Sequence, residues 1–422
     1  MEDVAGQHLS FTTDMWQDTY TQRCFISLSV HFITDDFKLV VKLLGVREFQ
    51  DDKKTGENIL NHIRSILDEF HILQKLNSSV FVTDNGANVV AAFKQYKRLS
   101  CACHNLNLVM EDVLKKKPIS ELKALIDSSK KLVKYFKHST LNTKLSKTLK
   151  QDINTRWNSI FIMLSSIHEV QDEVKRVLID KNEVNRLAGI DFTLLEALLN
   201  FLKSFKDCSE KMSSDKTPTV HIYPLWYEKL VQICNNDQDD SVLIKELKSQ
   251  TLNRLKVRFP PTMLHLVGLF LNPPFKEMLF LTEDKRLDVI ETVKAMLSEI
   301  NSDFNSPSTS ENENLSTENT HEFSQFLDSN LAKKRKIEKS EVDVELERYI
   351  NTSSSEKCVL TFWKKASDLK LLQILARKIL CIPASSATSE RLFSTSGKVL
   401  NERRTRLKSE NLDKIIFLNK NM

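Results

Sequence analysis

SSVFVTDNGAN, residues 78–88, holds a short apolar run that stops at Asp84, after which Asn85-Gly86 turns the chain into a helix. It reads as a buried strand with a carboxylate at its end. Further back, LSFTTDMW (9–16) has the same form and ends near Asp14. Between the two, Cys24, Ile26, Leu28, Val30 and Phe32 recur at every second position, the period of a half-buried strand. FKLVVKLLGV (37–46) predicts a third strand, with Asp35-Asp36 as the polar turn before it. Over 57–70, Ile59, Leu60, Ile63, Ile66, Leu67 and Phe70 share one helical face. The order β-β-β-α-β-α predicts an α/β fold: a mixed sheet with covered faces and a carboxylate near the ends of two separate strands.

Composition narrows the function. A chain of 422 residues with 41% hydrophobic residues suggests two or three cooperating domains. The net charge of +5 is too modest to imply nucleic acid by itself. Seven scattered cysteines, an odd number, argue against a disulfide framework and for a reducing compartment. No apolar run is long enough to span a bilayer, and MEDVAGQHLS has no secretory pattern, so no membrane association is expected. The seven glycines (6, 45, 56, 86, 189, 268, 397) are dispersed. Backbone that cradles phosphate needs several glycines close together, so no nucleotide cofactor is expected.

From about 104 to 300 the pattern is helical. Trp157, Ile160, Phe161, Leu164 and Ile167 form one stripe, and Leu194, Leu195, Leu198 and Phe201 another. Residues 302–340 are rich in Ser, Asn, Glu and Thr, and predict a disordered linker. Within it, Lys333, Lys334, Arg335 and Lys336 form a basic cluster that reads equally as a nuclear-import signal or a solvated charge run. A helix through Leu369, Leu372, Leu375, Ile379 and Leu380 ends before Pro383. Ser385 or Ser386 then caps a helix that carries Glu390 and closes at Gly397. A last stripe, Leu412, Ile415, Ile416 and Phe417, needs an apolar partner in this chain or in a second copy.

Phosphodiester chemistry without a covalent intermediate uses two divalent cations about 3.5–4 Å apart. Mg²⁺ and Mn²⁺ prefer oxygen ligands on rigid positions, which strand ends provide. Asp14 and Asp84 occupy such ends, although an Asp before Asn-Gly also suits an ordinary turn.

The motifs together resemble the hAT transposase superfamily, which includes domesticated BED-type zinc-finger proteins. TTDMWQDTYTQRCFISLSVHFI (12–33) resembles its opening. VTDNGANVVAAFK (82–94), LSCACHNLNLVMEDVL (99–114) and the Arg-Trp element in NTRWNSIFIML (154–164) follow in family order. PASSATSERLFSTSGKVLNERRTRLKSENLDKIIFL (383–418) resembles the carboxy-terminal dimerisation region. The resemblance implies a ribonuclease-H-like mixed sheet interrupted by a large all-α insertion. It divides the chain into a first core part (1–157), a helical insertion (158–301), the linker (302–340) and a helical region (341–422) that completes the core and mediates homodimers or higher oligomers.

Residue by residue, the resemblance makes Asp14, Asp84 and Glu390 the catalytic carboxylates and metal ligands, for Mg²⁺ or Mn²⁺. Cys101 and His104 become active-site neighbours. Arg156 and Trp157 become DNA contacts, with the indole stacking on a flipped base. Lys398, Arg403, Arg404, Arg406 and Lys408 form a basic block that could grip a DNA backbone, with a solvated loop as the alternative. Structural zinc at Cys101, Cys103 and His104 is not expected, because no second ligand pair accompanies them.

The family carries a BED-type finger ahead of the core, and no Cys/His tetrad precedes Asp14. Recognition of transposon ends is therefore missing or lies in a segment outside this sequence. Two functional classes follow. One is a metal-dependent enzyme of DNA strand cleavage and transfer; the other is a domesticated, non-catalytic, dimerising regulator of transcription or chromatin in the nucleus.

Overall fold

The computed structural model describes residues 6–153, 156–235, 237–238, 240–305, 340–400 and 404–422. Arg403, the cluster Lys333, Lys334, Arg335 and Lys336, and all but the ends of the expected 302–340 linker lie outside these described residues.

Five strands build the sheet among them: β1 (Ser10–Gln17), β2 (Cys24–Ile33), β3 (Leu39–Glu48), β4 (Val80–Thr83) and β5 (Lys97–Ser100), in the order β3-β2-β1-β4-β5. β1 runs antiparallel to β2, and β2 to β3, whereas β4 runs parallel to both β1 and β5. The sheet is therefore mixed, as the strand order implies. β5 carries no sequence signal of its own. Its four residues, KRLS, show neither an apolar run nor a long alternation, and only pairing with β4 holds them extended.

One sheet face is apolar. Phe11, Ile26, Leu28, Val30 and Phe81 pack against α1 (Gly56–Glu69) and the short α2 (Ala87–Ala92). Thr55 caps α1 by accepting the Asn58 N–H, and Ile59, Ile63, Ile66 and Leu67 turn inward. The opposite face is small and polar, with Ser10, Thr12, Ser27, Ser29 and His31 all buried. β2 is thus covered on both sides rather than half-buried, a correction with a clear cause. The C-terminal helices α14 (Lys370–Leu380) and α15 (Ala387–Val399) return over this face. Short side chains let them approach, and the Ser10 hydroxyl donates to the Cys381 carbonyl at 2.9 Å.

The helical part has its own core. It involves α3 (Ala102–Glu111), α4 (Ser120–His138), α5 (Asn158–Glu169), α6 (Gln171–Asp180), α7 (Phe192–Met212), α8 (Tyr223–Ile233) and α9 (Val242–Arg258). Asp191 accepts the N–H groups of Thr193 and Leu194 to start α7, and Ser241 starts α9 in the same way. This core draws on helices from α3 onward, before residue 158. In contrast, α10 (Met263–Phe270) and α11 (Glu283–Asn305) pack with α12 (Glu341–Asn351), α13 (Val359–Lys365) and α14 beneath the β4 end of the sheet.

The last helix, α16 (Ser409–Asn421), closes the opposite edge. Its Asn421 amide donates to the Leu43 carbonyl at 2.9 Å and accepts the Leu43 N–H at 3.0 Å, and Asp413 accepts the Val46 N–H at 2.6 Å. These are backbone groups of edge strand β3, which would otherwise offer a template for another strand. Leu412 and Ile416 pack on Phe25, Leu43 and Val46. The apolar partner of the final stripe is thus found inside the chain for those two residues.

Candidate active site

Register brings the two aspartates together. Thr12 of β1 lies opposite Val82 of β4 in a parallel pair. Continued two residues further, that pairing sets Asp14 beside Asp84, on the same sheet face, just where β4 ends. Asp14 Oδ1 accepts the Met15 N–H at 2.8 Å, and Asp84 Oδ1 accepts the Gly86 N–H at 3.2 Å. Asp84 thus forms an Asx-type turn and also faces Asp14, so its two sequence readings are compatible.

The Asp84 loop is held by Arg98. Its guanidinium donates to Thr83 Oγ1 at 3.0 Å, the Asp84 carbonyl at 2.9 Å and Asn85 Oδ1 at 3.2 Å. Asn85 in turn is tied to Ser100 and Asn105. Sequence reasoning missed Arg98 because β5 itself was invisible there.

Glu390 sits in the first turn of α15, which crosses β1 and β2. The Trp16 ring lies between Phe25 and Phe393, with centroids at 5.7 and 5.8 Å, and so couples helix to sheet. The segment leading into α15 is pinned at each residue. Ala384 accepts the Ala102 N–H, Ser385 Oγ donates to the Met212 carbonyl, and the Ser386 N–H donates to Cys101 Sγ at 3.3 Å. Ser386 makes no side-chain cap, and the helix runs through Gly397 to Val399, correcting the expected stop. Gly397 faces Trp16 from the last turn of the helix instead.

Asp14, Trp16, Arg156, Ser213, Glu390 and Arg391 line an open cleft of about 760 Å³. Burial pushes the Asp14 carboxyl up to about 7; the fields of Asp84 and Glu390 add to this, while the Met15 N–H and Arg156 oppose it. Glu390 is engaged by Arg156, with Nη2 and Oε2 2.5 Å apart. Arg391, beside Glu390 in sequence, bonds instead to the Ser213 carbonyl and the Asp215 carboxylate, joining α15 to the end of α7. Among the described residues, no three His, Cys, Asp or Glu side chains already gather as a metal-ligand group.

The remaining expected site residues separate. Trp157 is 1% exposed inside the helical core. Its indole has no open face for a base, which corrects the stacking role; the core reading of its stripe prevails because α5 turns that side inward. Cys101 is fully buried, accepts the His104 and Ser386 N–H groups, and has its thiol pushed up to about 12 by burial. It acts as a joint between α3 and α15. His104 is partly buried in the first turn of α3. Cys103, which sequence reasoning weighed only as a zinc ligand, feels the charges of Glu390 and Arg156. Lys398, Arg404, Arg406 and Lys408 are exposed, and Arg23 holds their segment by donating to the Leu407 carbonyl at 2.9 Å.

Comparisons with known proteins agree with this architecture. Residues 12–111 match the ZBED1 RNase-like domain, 99–194 the ZBED1 RNase-like helical domain, and 341–422 the hAT family C-terminal dimerisation region. The chain is 29% identical to the Transposable element Hobo transposase of Drosophila melanogaster, over 64% of this chain and 41% of that protein. It is 23% identical to the Putative AC transposase of Zea mays, over 99% of this chain and 57% of that protein. Zinc finger BED domain-containing protein 4 of Homo sapiens is 22% identical over 100% of this chain and 38% of its own length. The chain spans about half the length of the relatives it matches. It combines matches to the ZBED1 RNase-like domains with the hAT family dimerisation region and is similar to hAT transposases and BED-type zinc-finger proteins, consistent with a transposase-derived protein.

Proposed function

We propose that this chain is the core of a hAT transposase-like nuclear protein that self-associates and cleaves and joins DNA strands on a ribonuclease-H-like sheet. Asp14, Asp84 and Glu390 are its metal-binding carboxylates. The observation that carries the reading is the parallel register setting Asp14 beside Asp84, with α15 bringing Glu390 within electrostatic reach.

The donor set suits the metal. Three carboxylates, without imidazole or thiolate, favour Mg²⁺ or Mn²⁺ over zinc. Such cations, when bound, supply Lewis-acid polarisation of a phosphodiester and activation of the attacking oxygen. The chain's own contribution is positional. The Met15 N–H and the Gly86 N–H each hold one oxygen of an aspartate, leaving the second oxygen of each to a cation. Arg156 holds one Glu390 oxygen, Oε2, and its positive charge competes with a cation for that carboxylate. Exposed Lys398, Arg404 and Arg406 supply salt-dependent phosphate contacts, and the Lys333–Lys336 cluster supplies nuclear import.

The test uses purified protein with Mn²⁺ and supercoiled DNA, comparing wild type with Asp14→Asn, Asp84→Asn and Glu390→Gln. Nicking by wild type and by none of the variants is expected. Equal nicking by Asp84→Asn removes the enzyme reading.

A further inference from the structure

Three strands of the sheet start level with one another. Val80, the first residue of β4, pairs with Ser10 at the start of β1 and with Lys97 at the start of β5, both in parallel register. Asp14 and Asp84 follow Ser10 and Val80 by four positions, which is roughly 13 Å at about 3.3 Å per residue. The strand starts therefore form a surface separate from the carboxylates at the strand ends.

Positive charge gathers at that surface from three directions. Lys97 opens β5, Lys75 closes the turn Leu73–Lys75 ahead of β4, and Lys378 lies in the last turn of α14. With His8, which leads into β1, and Glu299 of α11, they line one cavity of about 60 Å³. That is room for about two water molecules. Three cationic residues thus share the cavity with a single acidic one. Among the described residues no carboxylate pairs with Lys75, Lys97 or Lys378, whereas the neighbouring Arg377 pairs with Asp35. Lys75 Nζ donates to the Gln7 carbonyl at 3.2 Å, which uses one of its three protons. His8 registers the field: partial burial first, then Lys378, Lys75 and Arg377, hold its imidazole below the ordinary histidine range.

Surface lysines ordinarily lay their stems over apolar neighbours and spread their charges into water. Three of them around one small cavity do the opposite, since low-dielectric walls focus a field that no acidic partner offsets. We propose that this cavity is an anion site that takes one phosphate group, either free phosphate or a phosphate of a DNA backbone. Lysine ammonium groups bind phosphate as point charges, without the planar fork that a carboxylate would favour. A backbone phosphate held here would fix the position of DNA on the sheet while carrying no sequence information. The site stands on its own residues and does not rest on the carboxylate reading.

Calorimetric titration of the full chain at low salt tests it, with sodium phosphate in one arm and a short DNA duplex in the other. Lys75→Ala and Lys378→Ala should each weaken phosphate binding by on the order of 10-fold, the size of one charge-assisted contact. Glu299→Gln should tighten it, and Lys131→Ala, at an exposed position of α4, should bind like wild type. In phosphate-free buffer the two lysine variants should melt no lower than wild type, because each relieves like-charge crowding. The His8 resonances, assigned by NMR with His8→Gln, supply a second readout. The His8 pKa should rise as phosphate binds, because the anion offsets the lysine charges. Phosphate held no more tightly than chloride, equal loss in Lys131→Ala, or an unmoved His8 titration overturns the site as an unspecific charge patch. Duplex binding weakened by the same two variants assigns the phosphate to a DNA backbone, and duplex binding that ignores them assigns it to free phosphate; both support the site. Neither readout involves strand cleavage, so failure here leaves the carboxylate reading untouched.

Discussion

The Arg156 guanidinium lies 2.5 Å from the Glu390 carboxylate, so a side chain of the helical part neutralises the acid that α15 brings over the sheet. A cation attached to the protein thus stands where the proposed chemistry needs a divalent one. Arg156 is more than half exposed, and exposed ion pairs contribute only about 0–1 kcal/mol. Arg156→Ala should leave urea unfolding almost unchanged yet tighten Mn²⁺ binding a few-fold, read by calorimetric titration. Weaker Mn²⁺ binding in the variant would mean that Arg156 supports the site rather than competing for it.

Asp14 gives a pH signature. Its carboxyl stands near 7 in the folded chain, against an ordinary value of 3.8. The native state therefore holds a proton that the unfolded state has released between about pH 4 and pH 7. Stability from this group is greatest below pH 4 and declines as pH rises through 7, then levels off. Asp14→Asn should remove that decline, about 3 kcal/mol between denaturant titrations at pH 5 and pH 8. Parallel slopes for wild type and variant would place the Asp14 pKa near its ordinary value.

Trp157 separates packing from DNA contact. Truncating a fully buried indole costs about 3–5 kcal/mol, so Trp157→Ala should lower the melting midpoint strongly. Trp157→Phe keeps most of the volume and should retain DNA on a low-salt column as well as wild type does. Loss of retention by a stably folded Trp157→Phe chain would restore the base-stacking role.

Thiol labelling should follow burial. Cys101, Cys208, Cys234 and Cys381 are buried with their thiols pushed up, whereas Cys358 is exposed and its thiol is lowered by a bond with Thr361. Native protein treated with a disulfide-exchange reagent should show one fast thiol, and Cys358→Ser should abolish it. Fast labelling of Cys101 would mean that the joint between α3 and α15 opens.

Asn421 protects a sheet edge. Asn421→Ala removes two hydrogen bonds to Leu43, at a cost of about 1–2 kcal/mol, and exposes the N–H and C=O groups of β3. Urea titration should register the loss, and light scattering should show faster aggregation on warming. Unchanged behaviour in both would mean that the Asp413 bonds to Val46 and Arg47 hold the helix alone.

What the sequence determined was local. Alternating Cys24 to Phe32, the stop at Asp84 and the stripe of α1 mark strands and a helix because burial imposes a period on each element by itself. Those signals located two of the three carboxylates at strand ends, and the ordered motifs supplied Glu390. Only tertiary structure decided how distant pieces meet. It extended β5 along β4, turned Trp157 inward and set Arg156 on Glu390. It also returned Asn421 to Leu43, a partner 378 residues away. Such contacts leave no period in the chain, since an Asn that caps a strand edge and one that faces water are the same letter in the same helix.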